Sequence, residues 1–134
     1  MMFTINTTKN MFKGFILSES LKNPTILNNF EVIEVIIENH PEFESGPKIW
    51  HDFKLKIADD KIINTCDDVT KEIKEGWYAH FWNDNTLYVV LPNKVFKMPR
   101  EDGNWQSSAY QECKHYAMEH GVEERYLSDF LIED

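Results

Sequence analysis

The side chains here that could do chemistry are five histidines, two cysteines and one dense aromatic run. The run opens the stretch GWYAHFWNDNTLYVVLPNKVFKM, Gly76 to Met98, with Trp77, Tyr78, His80, Phe81 and Trp82 in six positions. A neutral imidazole beside a phenol is suited to general acid–base work. Aromatic surface around one polar group is equally the lining of a ligand pocket. His51, next to Trp50, is a second imidazole on an apolar strand face. Its simplest role is a core histidine bonded to backbone. An acid–base site would need His51 and His80 to converge with Tyr78 or Tyr88, and the alternation described below sends the two histidines to opposite faces.

The remaining candidates are weaker. Cys113 and His120 are seven apart and share a helix face, which reads as a buried thiol below a histidine that favours the helix dipole. His115 and His120 are five apart and diverge around the axis, so they make a poor metal pair. Asp59-Asp60, Asp67-Asp68, Glu123-Glu124 and Glu133-Asp134 read as caps and solvated surface, with no calcium-loop spacing. There is no dinucleotide fingerprint, P-loop, nucleophile elbow or zincin motif. No metal and no cofactor is expected.

These residues must be positioned by regular elements. FKGFILSES predicts a strand, and EVIEVIIEN and WHDFKLKIA two more with clean alternation. In the second, Ile33, Val35 and Ile37 oppose Glu34 and Glu38. In the third, His51, Phe53, Leu55 and Ile57 oppose Asp52, Lys54 and Lys56. The two outer faces are complementary in charge, which favours antiparallel pairing. HPEFESGPKI between them is a loop, and residues 1–10 read as a loosely held start. DDKIINTCDDVTKEIKEG shifts to helical spacing at Ile62, Cys66, Val69 and Ile73, with Asp59 or Asp60 as N-cap and Gly76 past the end. A meander over about 77–82, 86–91 and 94–98 follows, its second turn set by Pro92-Asn93. REDGNW is a loop, and SSAYQECKHYAMEHG is a helix started by Ser108 with Gln111 and stopped by Gly121. A short terminal helix would pack Val122, Tyr126, Leu127 and Phe130. The order β-β-β-α-β-β-β-α makes an α+β domain spanning 1–134, a single antiparallel sheet of five to six strands with helices packed on one face.

The first hairpin of the meander decides the fate of His80. A two-residue loop, Asp84-Asn85, pairs Trp82 with Leu87 and His80 with Val89. A three-residue loop pairs Trp82 with Thr86 and His80 with Tyr88. The second separates the faces better and suits Asn85 in a left-handed conformation, so it is the preferred register. It leaves an outward face of Tyr78, His80, Trp82, Tyr88, Val90 and Val95. Such a face needs a cover. The choices are a second subunit, this chain's own 39–49 segment with Phe43 and Ile49, or a small ligand touching His80.

Composition narrows the class. The 134 residues are 42% apolar and 28% charged, enough for one packed domain. With 14 basic against 23 acidic side chains the net charge is −9, and the lysines are scattered, which argues against nucleic acid and anionic membranes. No apolar run approaches a membrane span and the N-terminus lacks a signal-type apolar core. Cys66 and Cys113 read as buried thiols, and a cytoplasmic location is expected.

GWYAHFW, VVLPNKVFKMP, the later HG and RYLSDF, and KGFILSESL near the start resemble small prokaryotic proteins of unassigned function. The resemblance implies a free-standing cytoplasmic domain and carries no catalytic residue across. The functional expectation is a non-catalytic protein-interaction or small-ligand-binding domain, a homodimer through Tyr78, His80, Trp82 and Tyr88, with Trp50 and His51 as secondary candidates. The alternative is a small enzyme with a His/Tyr acid–base pocket around His80.

Overall fold

The computed structural model describes residues 11–100 and 107–127. The expectations for residues 1–10, for the 101–106 loop and for Phe130, Glu133 and Asp134 lie outside them. Six strands form one antiparallel sheet: β1 (Phe12–Leu17), β2 (Glu31–Asn39), β3 (Ile49–Ile57), β4 (Ala79–Trp82), β5 (Thr86–Leu91) and β6 (Lys94–Pro99). Their spatial order is β2-β3-β1-β4-β5-β6. Two α-helices accompany them, α1 (Ile62–Thr70) and α2 (Ser108–Glu119). The chain is α+β with one open antiparallel sheet, as its patterning implies.

The helices divide between the two faces instead of sharing one. Ile62, Cys66 and Val69 of α1 pack with Phe12, Ile16, Leu55, Ile57, Phe81, Tyr88 and Val90. Tyr110, Cys113 and Ala117 of α2 pack with Trp82, Leu87, Val89, Leu91 and Met98, the alternate residues of the same strands. Both faces of β4 and β5 are therefore dry, and every residue from Ala79 to Trp82 is buried. Alternation separates an apolar face from a polar one only where one face meets water.

That is why the preferred hairpin register is not the one observed. Trp82 pairs with Leu87, His80 with Val89 and Phe81 with Tyr88, the register of the two-residue loop. The turn is closed by Asn83, whose Oδ1 accepts from the backbone N–H groups of Asn85 and Thr86, both at 2.9 Å, while its own N–H donates to the Thr86 carbonyl at 3.0 Å. This Asx-type closure fixes the register locally. The second turn is as expected, with Pro92 followed by Asn93 at φ 61°.

Gly14 at the sheet centre is required by Phe81. A Cβ there would lie 2.1 Å from Phe81 Cδ1 and 2.9 Å from the His80 carbonyl oxygen, so the ring occupies the space a side chain would fill. Other boundaries shift: α1 ends at Thr70, so Ile73, expected on its apolar stripe, instead forms a β-bridge with Leu21, and Gly76 lies well past the helix end. Asp59 and Asp60 sit in a 3-10 turn ahead of α1, and neither caps it with its side chain. Ser107, not Ser108, caps α2, its Oγ accepting from the Tyr110 N–H at 3.1 Å, and Gly121 at φ 89° follows the helix end.

β2 departs furthest from expectation. A bulge falls between Val32 and Glu34, and Val35 and Ile37, expected in the core, are 46% and 68% exposed. Its packing is mainly against β3. Its partner β3 divides its faces as expected, and Glu34 faces Lys54 across the pair, but Lys56 faces Glu31 and Glu38 faces Trp50.

Candidate functional site

A helix about 10 Å across covers about two strands spaced 4.8 Å apart. On its face of the sheet α2 lies over the β4–β6 end, and the β2-β3-β1 end is left to be closed by loops. They close it incompletely. A cavity of about 370 Å³ remains between the sheet and the connecting segments. Phe15 and Leu17 of β1, Ile36 and Glu38 of β2, Trp50 and Asp52 of β3, and Tyr78 and His80 at the start of β4 form its floor. Phe43 from the β2–β3 connection, Gly76 and Trp77 after α1, and Val122 and Tyr126 after α2 form its rim.

The rim is held by ring-on-ring contacts. Phe43 meets Trp50 at 5.2 Å and Trp77 at 5.3 Å between centroids, and Trp50 meets Trp77 at 5.2 Å and Tyr126 at 5.4 Å. Such tilted pairs contribute about 0.5–1.5 kcal/mol each beyond their burial. Trp50 donates Nε1–H to the Pro47 carbonyl at 2.8 Å. Tyr78 donates its hydroxyl to the Tyr126 carbonyl at 2.5 Å, tying floor to rim.

Beside the cavity residue Trp50, His40 stacks on its ring at 3.7 Å and bridges two carboxylates, Glu38 through Nε2 at 2.8 Å and Glu42 through Nδ1 at 2.9 Å. Burial lowers the His40 pKa, but the hydrogen bonds to Glu38 and Glu42 outweigh it, and the net shift is upward. The same hydrogen bond, with a backbone N–H and the Tyr126 hydroxyl at 2.9 Å, holds Glu42 down to about 2. Sequence reasoning missed this Glu38–His40–Glu42–Tyr126 array, because Tyr126 lies 84 positions from Glu42. The i, i+2 spacing of Glu38, His40 and Glu42 was the only available signal.

His80 is 6% exposed, stacked on Trp82 at 5.3 Å and near Phe15 at 5.9 Å and Tyr78 at 6.1 Å. Burial, reinforced by the Arg100 cation, pushes its pKa down to about 3, so its ring is neutral throughout the physiological range.

The structure brings Tyr78, His80 and Trp50 to one cavity. It does not bring the other candidates there. Trp82 is buried with the α2 residues, and Tyr88 lies on the α1 face against Phe12 at 5.7 Å. The single face of Tyr78, His80, Trp82 and Tyr88 therefore does not exist, since the observed register turns Tyr88 over. His51 is also on the α1 side and is held by Glu19, whose carboxylate accepts from the His51 N–H at 2.8 Å and meets Nδ1 at 2.7 Å. It does not converge with His80. Cys113 and His120 do not pair either. Burial pushes the Cys113 thiol up to about 12, while His120 stacks on Tyr116 at 4.2 Å and meets Glu75 at 3.0 Å. Cys66 is buried and likewise pushed up to about 12. The 39–49 segment places Phe43 against Trp50, Trp77 and Tyr126 and not on the expected aromatic face, and Ile49 is exposed.

No described helix is long and apolar enough to cross a membrane. The described residues contain no group of three or more His, Cys, Asp or Glu side chains placed to hold a metal ion. No protein-family model, curated protein or solved structure matches the chain.

Proposed function

We propose that this protein binds a small organic molecule, without chemical conversion, in the cavity between the β2-β3-β1 end of the sheet and the Phe43–Tyr126 rim. The supporting observation is the cavity itself, about 370 Å³ of space walled by seven aromatic rings, the imidazole of His80 included. That volume falls in the range of small-molecule sites, which are concave, mostly apolar and furnished with a few polar groups. A lack of affinity for nucleic acid or membrane belongs to the same reading and rests on the net charge of −9, and a cytoplasmic setting rests on the two free thiols, Cys66 and Cys113.

The catalytic alternative has less support. Burial keeps His80 from accepting a proton near neutral pH, and the Tyr78 hydroxyl is engaged with the Tyr126 carbonyl. The reading is tested with N-phenyl-1-naphthylamine, a neutral fluorophore that brightens in apolar sites. Saturable binding to the wild type, abolished by Ile36→Trp, is expected. Ile36 lines the cavity from an edge strand, so the larger ring fills the space without entering a packed core. Non-saturable binding, or equal binding to the variant, counts against it.

A second reading keeps the homodimer but moves it. The aromatic residues first expected at an interface are covered by this chain, whereas Ile33, Val35 and Ile37 on edge strand β2 are 49%, 46% and 68% exposed. Exposed apolar edges invite strand pairing. Sedimentation equilibrium would give a dimer mass for the wild type and a monomer for Ile37→Lys, and a monomeric wild type sinks this reading.

A further inference from the structure

The β2–β3 connection, residues 40–48, brings Phe43 to the cavity rim, where its ring meets Trp50, Trp77 and Tyr126. Among the described residues, its polar contacts with the chain after α2 are both made by Glu42. The carboxylate accepts from the Tyr126 hydroxyl at 2.9 Å, and the carbonyl accepts from Arg125 Nη2 at 3.3 Å. On its own side of the cavity Glu42 is held by His40. Nδ1 lies 2.9 Å from Glu42 Oε2, and Nε2 lies 2.8 Å from Glu38 Oε1. An ionised carboxylate accepts hydrogen bonds and cannot donate them. Both ring nitrogens must therefore carry hydrogen, and the ring is an imidazolium. Its stacking on Trp50, at 3.7 Å and 24°, favours the same charged form. A neutral imidazole has a single N–H. On losing a proton, His40 keeps one carboxylate and turns a lone pair toward the other.

We propose that residues 40–48 are a gate over the cavity, latched while His40 holds both its protons and loosened when it gives one up. This rests on the small-molecule reading above and adds how entry to that site is regulated. Burial alone would lower the His40 pKa, but its hydrogen bonds to Glu38 and Glu42 prevail and raise it above 6.5. The latch is thus fully present below pH 6.5 and is lost as pH rises through the folded value. The groups around it keep their charge states over that range. Hydrogen bonding holds Glu42 down to about 2, and burial with the Glu42 bond pushes the Tyr126 hydroxyl up to about 12, so one stays an acceptor and the other a donor. Glu123, bonded to Arg125 Nε at 2.8 Å, keeps that guanidinium a cation, and Lys48 Nζ donates to the Phe43 carbonyl within the segment. The far end of the segment is fixed by a bond that does not titrate, from Trp50 Nε1–H to the Pro47 carbonyl at 2.8 Å. One end is anchored and the other depends on a proton.

Stopped-flow mixing with N-phenyl-1-naphthylamine, which stays uncharged from pH 6 to pH 9, reads the gate. Association and dissociation rate constants should rise together, by about three- to tenfold across that range, while their ratio stays within about twofold. A gate alters how fast a ligand passes and leaves the affinity of the site alone. The midpoint of the rise should coincide with the His40 titration followed by side-chain nitrogen-15 NMR, with both nitrogens protonated at pH 6 and the midpoint above 6.5. His40→Gln has no titrating proton at this position, and its rates should not change with pH. Wild-type rates that fail to rise together, an equal rise in His40→Gln, or a His40 midpoint at or below 6.5 overturns the gate and leaves the pocket reading intact. If the probe does not bind saturably, or binds Ile36→Trp equally well, the pocket reading itself fails, and the gate with it.

Discussion

Replacing His80 with phenylalanine should flatten the protein's response to mild acid. His80 is held with its pKa near 3, first by burial and then by the Arg100 cation, against an ordinary value of 6.5. As pH falls below 6.5 the unfolded chain takes up a proton at this position and the folded chain does not. Stability must therefore fall, by about 1.4 kcal/mol per pH unit for one differential proton. Integrated from pH 7.5 to 4.5 the loss is about 3 kcal/mol, and it reaches about 4 kcal/mol near pH 3. A domain of this size has about 5–15 kcal/mol in total, so the effect is readily measured. The other shifted groups are common to wild type and variant and cancel when the two are compared at each pH. His40 has a raised folded pKa, so its contribution is fully present below 6.5 and is lost only as pH rises through the folded value. Glu19 and Glu42 have lowered values, and their contributions are lost as pH falls below about 4.5. Urea unfolding at pH 4.5, 5.5, 6.5 and 7.5, with wild type and variant compared at each, isolates the His80 contribution. The stability difference should move by about 3 kcal/mol in favour of His80→Phe across the series. His80→Gln, smaller and flexible, serves as a second variant because only the pH slope is read. Parallel curves for wild type and both variants would refute the reasoning, since they would require His80 to titrate alike in both states.

Gly14→Ala should destabilise by about 1–3 kcal/mol in thermal or urea unfolding, because the new methyl overlaps the Phe81 ring and the His80 carbonyl; a neutral result would mean that the ring moves freely. Ser107→Ala should cost about 1 kcal/mol by removing the α2 cap, whereas Ser108→Ala should change stability by less than about 0.5 kcal/mol, and the reverse order would restore the cap first read from the sequence.

Which parts of this fold were legible follows from where water lies. β3 meets one dry face and one wetter one, and its alternation reported its orientation correctly. α1 and α2 each show an apolar stripe at helical spacing, and Gly121 and the Pro92-Asn93 turn carry local backbone requirements that a sequence displays directly. β4 and β5 are buried on both sides, so their residues do not record which way they point. The register there was set by the Asn83 side chain, a single local hydrogen-bonding choice that a preference for clean faces overlooked. β2 misled in the opposite way, alternating like a core strand while facing solvent. As for the site, Tyr78, His80 and Trp50 were visible as chemistry-bearing residues. The cavity was not, because its walls come from β1, β2, β3, β4 and three connecting segments, and no spacing rule links Phe43 to Tyr126. Tyr88 was drawn in only by the wrong register.

The position of β1 carries a consequence for the order of assembly. The β2–β3 hairpin and the β4–β5–β6 meander are each local in the chain, but in the sheet they are joined through β1, which pairs with β3 on one side and β4 on the other. β1 precedes both units in the chain, yet its second partner ends at Trp82, some 70 positions later. During synthesis, when chains emerge N-terminal end first, it must wait for a partner on each edge. Closing those long-range pairings is the slow step for such topologies. The two halves would form early as separate pieces, and the molecule would become a single cooperative body only when β1 is clasped between them. The same event creates the cavity floor, since β1 contributes Phe15 and Leu17. Binding competence and global cooperativity would then appear together in refolding.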